Sequence, residues 1–129
     1  MILYVRTDSP VAIIGLVDGK ETLVEQHLDL GRSTARELPS AIEAILADRG
    51  LGWTDIHGLV VFRGPGSFTG LRIGCTIINT MAYALALPVV GSEGNSWIAE
   101  GVARLTAGKD DKVVIPSYGA DARITTPRK

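Results

Sequence analysis

The chain has 129 residues, an apolar fraction of 46%, and a net charge of −1. That length fits one domain with at most a fragment of a second, and that apolar fraction is enough for a core. Near-balanced charge excludes a basic nucleic-acid footprint, no apolar run is long enough to span a bilayer, and a single cysteine excludes a disulfide framework. Met1-Ile2-Leu3-Tyr4-Val5-Arg6 lacks a basic region of the signal-peptide kind, so the setting implied is a reducing cytoplasm.

Ile2 to Val5 reads as a short strand, followed by the turn residues Arg6-Thr7-Asp8-Ser9-Pro10. Val11 to Val17 is a second strand. Asp18-Gly19 is a hairpin signal, and Glu21 to Leu28 alternates as a third strand, so the chain opens with an antiparallel meander. A first helix spans roughly Ser33 to Arg49. Leu38, Ile42, Ile45 and Leu46 line one face, Pro39 sits early, and Gly50 is a C-terminal stop. The fourth strand lies near Ile56 to Phe62.

Next comes Arg63-Gly64-Pro65-Gly66-Ser67-Phe68-Thr69-Gly70-Leu71-Arg72-Ile73-Gly74, a glycine turn between a strand and a long apolar segment, Ile73 to Leu87, that reads as a helix. Glycine permits the sharp turn and positive φ, and Ser67 is a natural N-cap. The pattern is neither a P-loop nor a dinucleotide fingerprint. It reads equally as a tight helix–sheet junction or as an anion site at a helix start. In the helix, Phe68, Leu71, Cys75, Ile78, Ala82 and Leu85 share a face. Ile73, Ile77, Met81 and Ala84 spread around the rest, so the helix is buried on more than one side. Periodicity alone does not say which side meets the sheet. Gly70 and Gly74 leave a flat strip where another helix could approach.

Pro88 to Gly91 forms a fifth strand, Asn95 or Ser96 caps a third helix from Trp97 to about Leu105, and Lys112 to Pro116 begins a sixth strand. Three antiparallel strands followed by helix, strand, helix, strand, helix imply a mixed α/β sheet with right-handed crossovers.

The candidate reactive groups favour structural roles. His27 and His57 have no Cys or carboxylate at ligand spacing, and Ser67 has no neighbouring base. Cys75 reads as a small core residue and Asp110-Asp111 as a solvated loop. Arg63 supports the turn or contacts an anion, and Arg72 makes a surface ion pair or a partner contact.

The twelve residues from Arg63 to Gly74 resemble the signature of the bacterial TsaB family, also called YeaZ. The resemblance continues through Ala82, Leu85, Leu87-Pro88 and Gly91, and Asp121-Ala122-Arg123 resembles a motif near the start of that family's second lobe. It implies an α/β fold: a single lobe of the actin-like, Hsp70-ATPase type, with a mixed five-stranded sheet and helices on both faces. The lobe is expected over residues 1–111, with 112–129 a stub of the second lobe or a tail.

The resemblance also implies a non-catalytic subunit of the machinery that places threonylcarbamoyl on the adenosine beside the tRNA anticodon. The subunit would pair with the catalytic protein TsaD, reach TsaE through it, contact tRNA only indirectly, and form homodimers in TsaD's absence. No cofactor and no metal are implied. The expected interface is Leu38, Ile42 and Ile45 of the first helix with Phe68, Leu71, Arg72, Cys75 and Ile78 of the second. Gly64, Pro65, Gly66, Ser67 and Gly70 set the second helix's angle. The sequence departs from the family at Arg6, where an acidic residue is usual, and at Ser33, where His is common. The nucleotide cleft of this fold lies between two lobes, so a single lobe is expected to lack most of it. A nucleotide-binding lobe completed by self-association, or a homodimeric relic, is the alternative.

Overall fold

The computed structural model describes residues 1–117. Three strands open it: β1 (Ile2–Arg6), β2 (Val11–Asp18) and β3 (Glu21–Asp29). Asp18 sits opposite Glu21, so Gly19-Lys20 makes the hairpin turn, and Gly19 takes φ +65°. Helix α1 (Thr34–Asp48) leads to β4 (Gly58–Gly64), and helix α2 (Phe68–Leu85) leads to β5 (Val89–Glu93). Helix α3 (Trp97–Thr106) follows. The sheet order is β3-β2-β1-β4-β5, with β1 antiparallel to β2 and parallel to β4. Hairpins build the antiparallel half and helical crossovers build the parallel half, because only a crossover can return the chain to a parallel start.

Strand alternation divides the core in two. Leu3, Val5, Ile14, Leu16, Leu59, Val61 and Val89 face the side covered by α1 and α2. Tyr4, Val17, Val60, Phe62 and Val90 face the side where α3 brings Trp97. Trp97 meets the rings of Tyr4 and Phe62 edge-on, at centroid distances of 5.5 and 5.6 Å. Helices therefore cover both faces of a mixed five-stranded sheet, as the family resemblance implied. Tyr4 lies flat over Gly15 of β2, where a Cβ would come within 2.1 Å of the ring, and its hydroxyl donates to Glu25 of β3. Burial and that carboxylate push the Tyr4 phenol far above its ordinary value.

Several boundaries differ from the expectation. Helix α2 starts at Phe68, and the α1 side chains that pack inward begin at Thr34. β4 begins at Gly58 rather than Ile56, because Trp53–Asp55 forms a short 3-10 turn closed by the Asp55 carboxylate, which accepts from the Gly52 N–H at 2.9 Å. The sixth strand expected over Lys112 to Pro116 is not in the sheet. The Asn79 side chain takes both backbone groups of Val114, accepting from its N–H at 2.8 Å and donating to its carbonyl at 2.9 Å. Those groups are thereby satisfied without a strand partner. Val114 is buried, Arg63 holds the Ile115 carbonyl and the Ser117 N–H, and the Asp121-Ala122-Arg123 motif lies outside the described residues.

Candidate functional site

The glycine turn joins two buried elements at close quarters. Gly64 ends β4 at φ +133°, a region side chains rarely adopt, and the Gly64–Pro65 peptide is cis. Ser67 caps α2 and accepts from the Gly70 N–H at 3.5 Å. A Cβ on Gly70 would stand 2.2 Å from the Thr7 carbonyl oxygen, and one on Gly74 would stand 2.3 Å from the Thr7 hydroxyl. Thr7 in turn donates to the Gly70 carbonyl at 2.7 Å. The flat strip of Gly70 and Gly74 is thus filled by the end of the chain's own first strand, which corrects the expectation of a second helix there. These glycines fix how closely α2 approaches β1.

The charges around the turn are paired. Arg6 donates to both Asp8 oxygens, at 2.7 and 3.1 Å, and its guanidinium lies 3.7 Å above the Phe62 ring. The Asp8 side chain packs against Gly66. A carboxylate held bidentately by an arginine has little capacity left for a cation. Arg63 donates to the Ile115 carbonyl at 2.8 Å and pairs with Glu93. It braces residues 115–117 rather than standing free for an anion. Among the described residues no group of three or more His, Cys, Asp or Glu could hold a metal. His27 pairs with Glu25 at 2.8 Å, and His57 meets the N-terminal amine at 2.8 Å.

The outer surface of the helix pair differs from the one the sequence suggested. Leu38, Ile42, Ile45, Leu71, Cys75 and Ile78 are each 0–2% exposed inside the lobe. Leu38, Ile42, Ile45, Cys75 and Ile78 pack in the cluster under α1 and α2, and Leu71 packs with Tyr4, Phe62 and Trp97, so the most regular apolar stripe is buried within the lobe. Burial pushes the Cys75 thiol up to about 11, which makes it inert. Of the expected interface only Phe68, 55% exposed, and the exposed Arg72 lie outside, with the Arg72 guanidinium 5.2 Å over the Phe68 ring. Between α1 and α2 runs an open groove of about 260 Å³, lined by Ala35, Thr69, Arg72, Ile73, Thr76 and Ile77. Ile73 and Ile77 are half-buried there, one helical turn apart. Their spacing was visible in the sequence; the face they occupy was not, because α2 is apolar on two sides.

Asp110 and Asp111 do more than the sequence suggested. They lie exposed in the loop after α3, as expected, but their carboxylates are engaged: Asp110 accepts from the Val89 N–H at 3.1 Å, and Asp111 accepts from the Gly91 N–H at 2.9 Å and pairs with Arg104. Hydrogen bonds from Val89 hold the Asp110 carboxyl below its ordinary range, and Arg104 does the same for Asp111.

Residues 29–116 match the family model described as "TsaD: tRNA N6-adenosine threonylcarbamoyltransferase". The chain is 40% identical over 83 residues to the tRNA threonylcarbamoyladenosine biosynthesis protein TsaB of Escherichia coli (strain K12), covering 63% of this chain and 36% of that protein. It is 47% identical over 89 residues to the TsaB protein of Haemophilus influenzae, covering 69% of this chain and 37% of that one. The solved structure of YeaZ from Pseudomonas aeruginosa superposes with a TM-score of 0.67 at 23% identity, over 83% of this chain and 49% of that chain. The chain thus spans less than half the length of the relatives it matches.

Proposed function

This chain belongs to the TsaB (YeaZ) family, and we propose from that membership that it is a non-catalytic subunit in tRNA threonylcarbamoyladenosine biosynthesis that docks on TsaD through the outer groove of α1 and α2. The observation that carries the reading is the Ile73–Ile77 pair, half-buried beside Arg72 in an open groove while the rest of the apolar stripe is spent on the core. An apolar ridge flanked by an arginine is the composition that protein interfaces favour at their centres. Completing the burial of one half-buried isoleucine there contributes about 1 kcal/mol, part of the full transfer from water. Arg72, stacked on Phe68, is placed to meet a carboxylate at the rim. The Arg6–Asp8 pair supports the non-catalytic part of the reading, since the acidic group at that strand end is neutralised by its own neighbour. Without TsaD, the same groove is where two copies would meet, with TsaE and tRNA reached only through TsaD.

The test is reconstitution. TsaD, TsaE, ATP, threonylcarbamoyl-adenylate and an unmodified tRNA are combined without a TsaB protein, and this chain is then added. Modified adenosine is expected only in the complete mixture, and none from this chain by itself. Transfer that does not depend on the chain, or turnover by the chain alone, overturns the reading.

A further inference from the structure

The sheet has two edges, and they are defended differently. β3 is a long edge strand that carries carboxylates along its length, at Glu21, Glu25 and Asp29. Charge along an edge disfavours addition of another strand. β5, at the other edge, reads Val89-Val90-Gly91-Ser92-Glu93 and has one charge, at its end. The Pro88 carbonyl accepts from the Leu59 N–H, so residues of that parity face β4 and the backbone groups of Val89 and Gly91 face outward. Shortness blunts such an edge in part, but with its one charge at the end nothing on Val89, Val90, Gly91 or Ser92 repels another strand from the outward backbone groups.

Every one of those outward groups on Val89 and Gly91 is taken by the segment that follows. The Val89 N–H donates to the Asp110 carboxylate at 3.1 Å, and the Val89 carbonyl accepts from the Asp111 N–H at 2.7 Å. The Gly91 N–H donates to the Asp111 carboxylate at 2.9 Å, and the Gly91 carbonyl accepts from Arg104 at 3.1 Å. Arg104 and Asp111 also hold each other, which fixes both side chains for the task. A bound strand would satisfy the same four groups with backbone amides. Here two carboxylates and a guanidinium do it, and they offer no further ladder to extend. Val114 then drops into the space beside Gly91, where a Cβ would stand 2.6 Å from its methyl, and Asn79 clasps its backbone.

We propose that Arg104, Asp110 and Asp111 are an edge guard on β5, and that removing the guard exposes a strand-pairing surface whose partner is the β5 edge of a second copy. Self-complementarity argues for that occupant. An antiparallel pairing centred on Gly91 sets Val89 opposite Glu93 and Val90 opposite Ser92, so no like charges oppose each other. The outward groups of Val89 and Gly91 then become hydrogen-bonded pairs across the two-fold axis. The low carboxyl affinities of Asp110 and Asp111 for protons agree with the roles given them.

The test compares the full chain with the double variant Asp110→Ala/Asp111→Ala and with a control, Glu43→Ala/Asp48→Ala, that loses the same charge on exposed positions of α1. Amide exchange at Val89 and Gly91 is expected to be about tenfold or more faster in the dilute guard variant, with Val60 and Val61 unchanged. Sedimentation velocity at rising concentration is expected to show association one step beyond the parent's own in the guard variant alone, with protection at Val89 and Gly91 returning as it forms. The proposal is overturned if those two amides stay as slow as in the parent chain. It is equally overturned if they open without association beyond the parent's, or if the control gains the same association. Should the double variant not fold, Asp111→Ala alone is read at the Gly91 amide, whose acceptor it removes, and by sedimentation, with the same outcomes.

Discussion

Replacing Gly70 with alanine tests whether the glycine turn is a packing junction. The added Cβ would stand 2.2 Å from the Thr7 carbonyl oxygen and 3.2 Å from the Asp8 Cα, both backbone atoms. Relieving the closer contact moves α2 away from β1 by about 1 Å, an overpacking that costs about 1–3 kcal/mol. The same movement stretches the 2.7 Å hydrogen bond from the Thr7 hydroxyl to the Gly70 carbonyl, which contributes about 1 kcal/mol. Alanine's better helix propensity returns about 1 kcal/mol. The net expectation is a loss of about 1–3 kcal/mol, or roughly 3–12 °C in Tm for a domain of this size. Urea unfolding of Gly70→Ala, Thr7→Ala and the double variant measures it, and the two losses are expected to be less than additive because they share one contact. A Gly70→Ala chain as stable as its parent, or more stable, would refute the packing argument and return the turn to an anion-binding role.

Two further outcomes follow from titrating groups. Glu25, held low first by His27 and then by Tyr4, and Asp110 and Asp111, held low by backbone and arginine donors, all bind protons less readily folded than unfolded. Their contribution is complete above the ordinary carboxylate values of 4.5 and 3.8 and is lost as pH falls below them; urea midpoints measured between pH 7 and pH 3 are expected to drop across that window, and a flat profile would contradict the pairings. The buried Cys75 thiol, raised to about 11, is expected to react with a thiol reagent at pH 8 only as fast as the lobe unfolds, and rapid labelling of the native chain would place it at the surface instead.

Much of the fold was legible because alternation and turn chemistry agree locally. Asp18-Gly19, the apolar run ending at Phe62, and the Gly-Pro-Gly-Ser turn each name one conformation. The sixth strand misled for a definite reason. Val113-Val114-Ile115 has strand composition, yet the β5 edge it would join is already occupied by Asp110, Asp111 and Arg104. Side chains that substitute for a strand leave no periodic trace. The site was harder still. On α2 both Leu71-Cys75-Ile78 and Ile73-Ile77 keep helical spacing, so periodicity marks two apolar faces without ranking them. The packing of Thr7 and Asp8, just past β1, against Gly70 and Gly74 turns the first face inward and leaves the second lining the outer groove.

The central claim is that this second face docks on TsaD. Isothermal titration of TsaD into the parent chain, Ile73→Asp and Ile78→Asp, each first checked by circular dichroism, tests it most directly. Ile78→Asp buries an unpaired charge in the core and is expected to unfold the lobe. Ile73→Asp is expected to keep the parent's spectrum and melting profile while binding falls by about tenfold or more, the equivalent of at least 1.4 kcal/mol. A folded Ile73→Asp chain that binds TsaD as tightly as the parent would contradict the account.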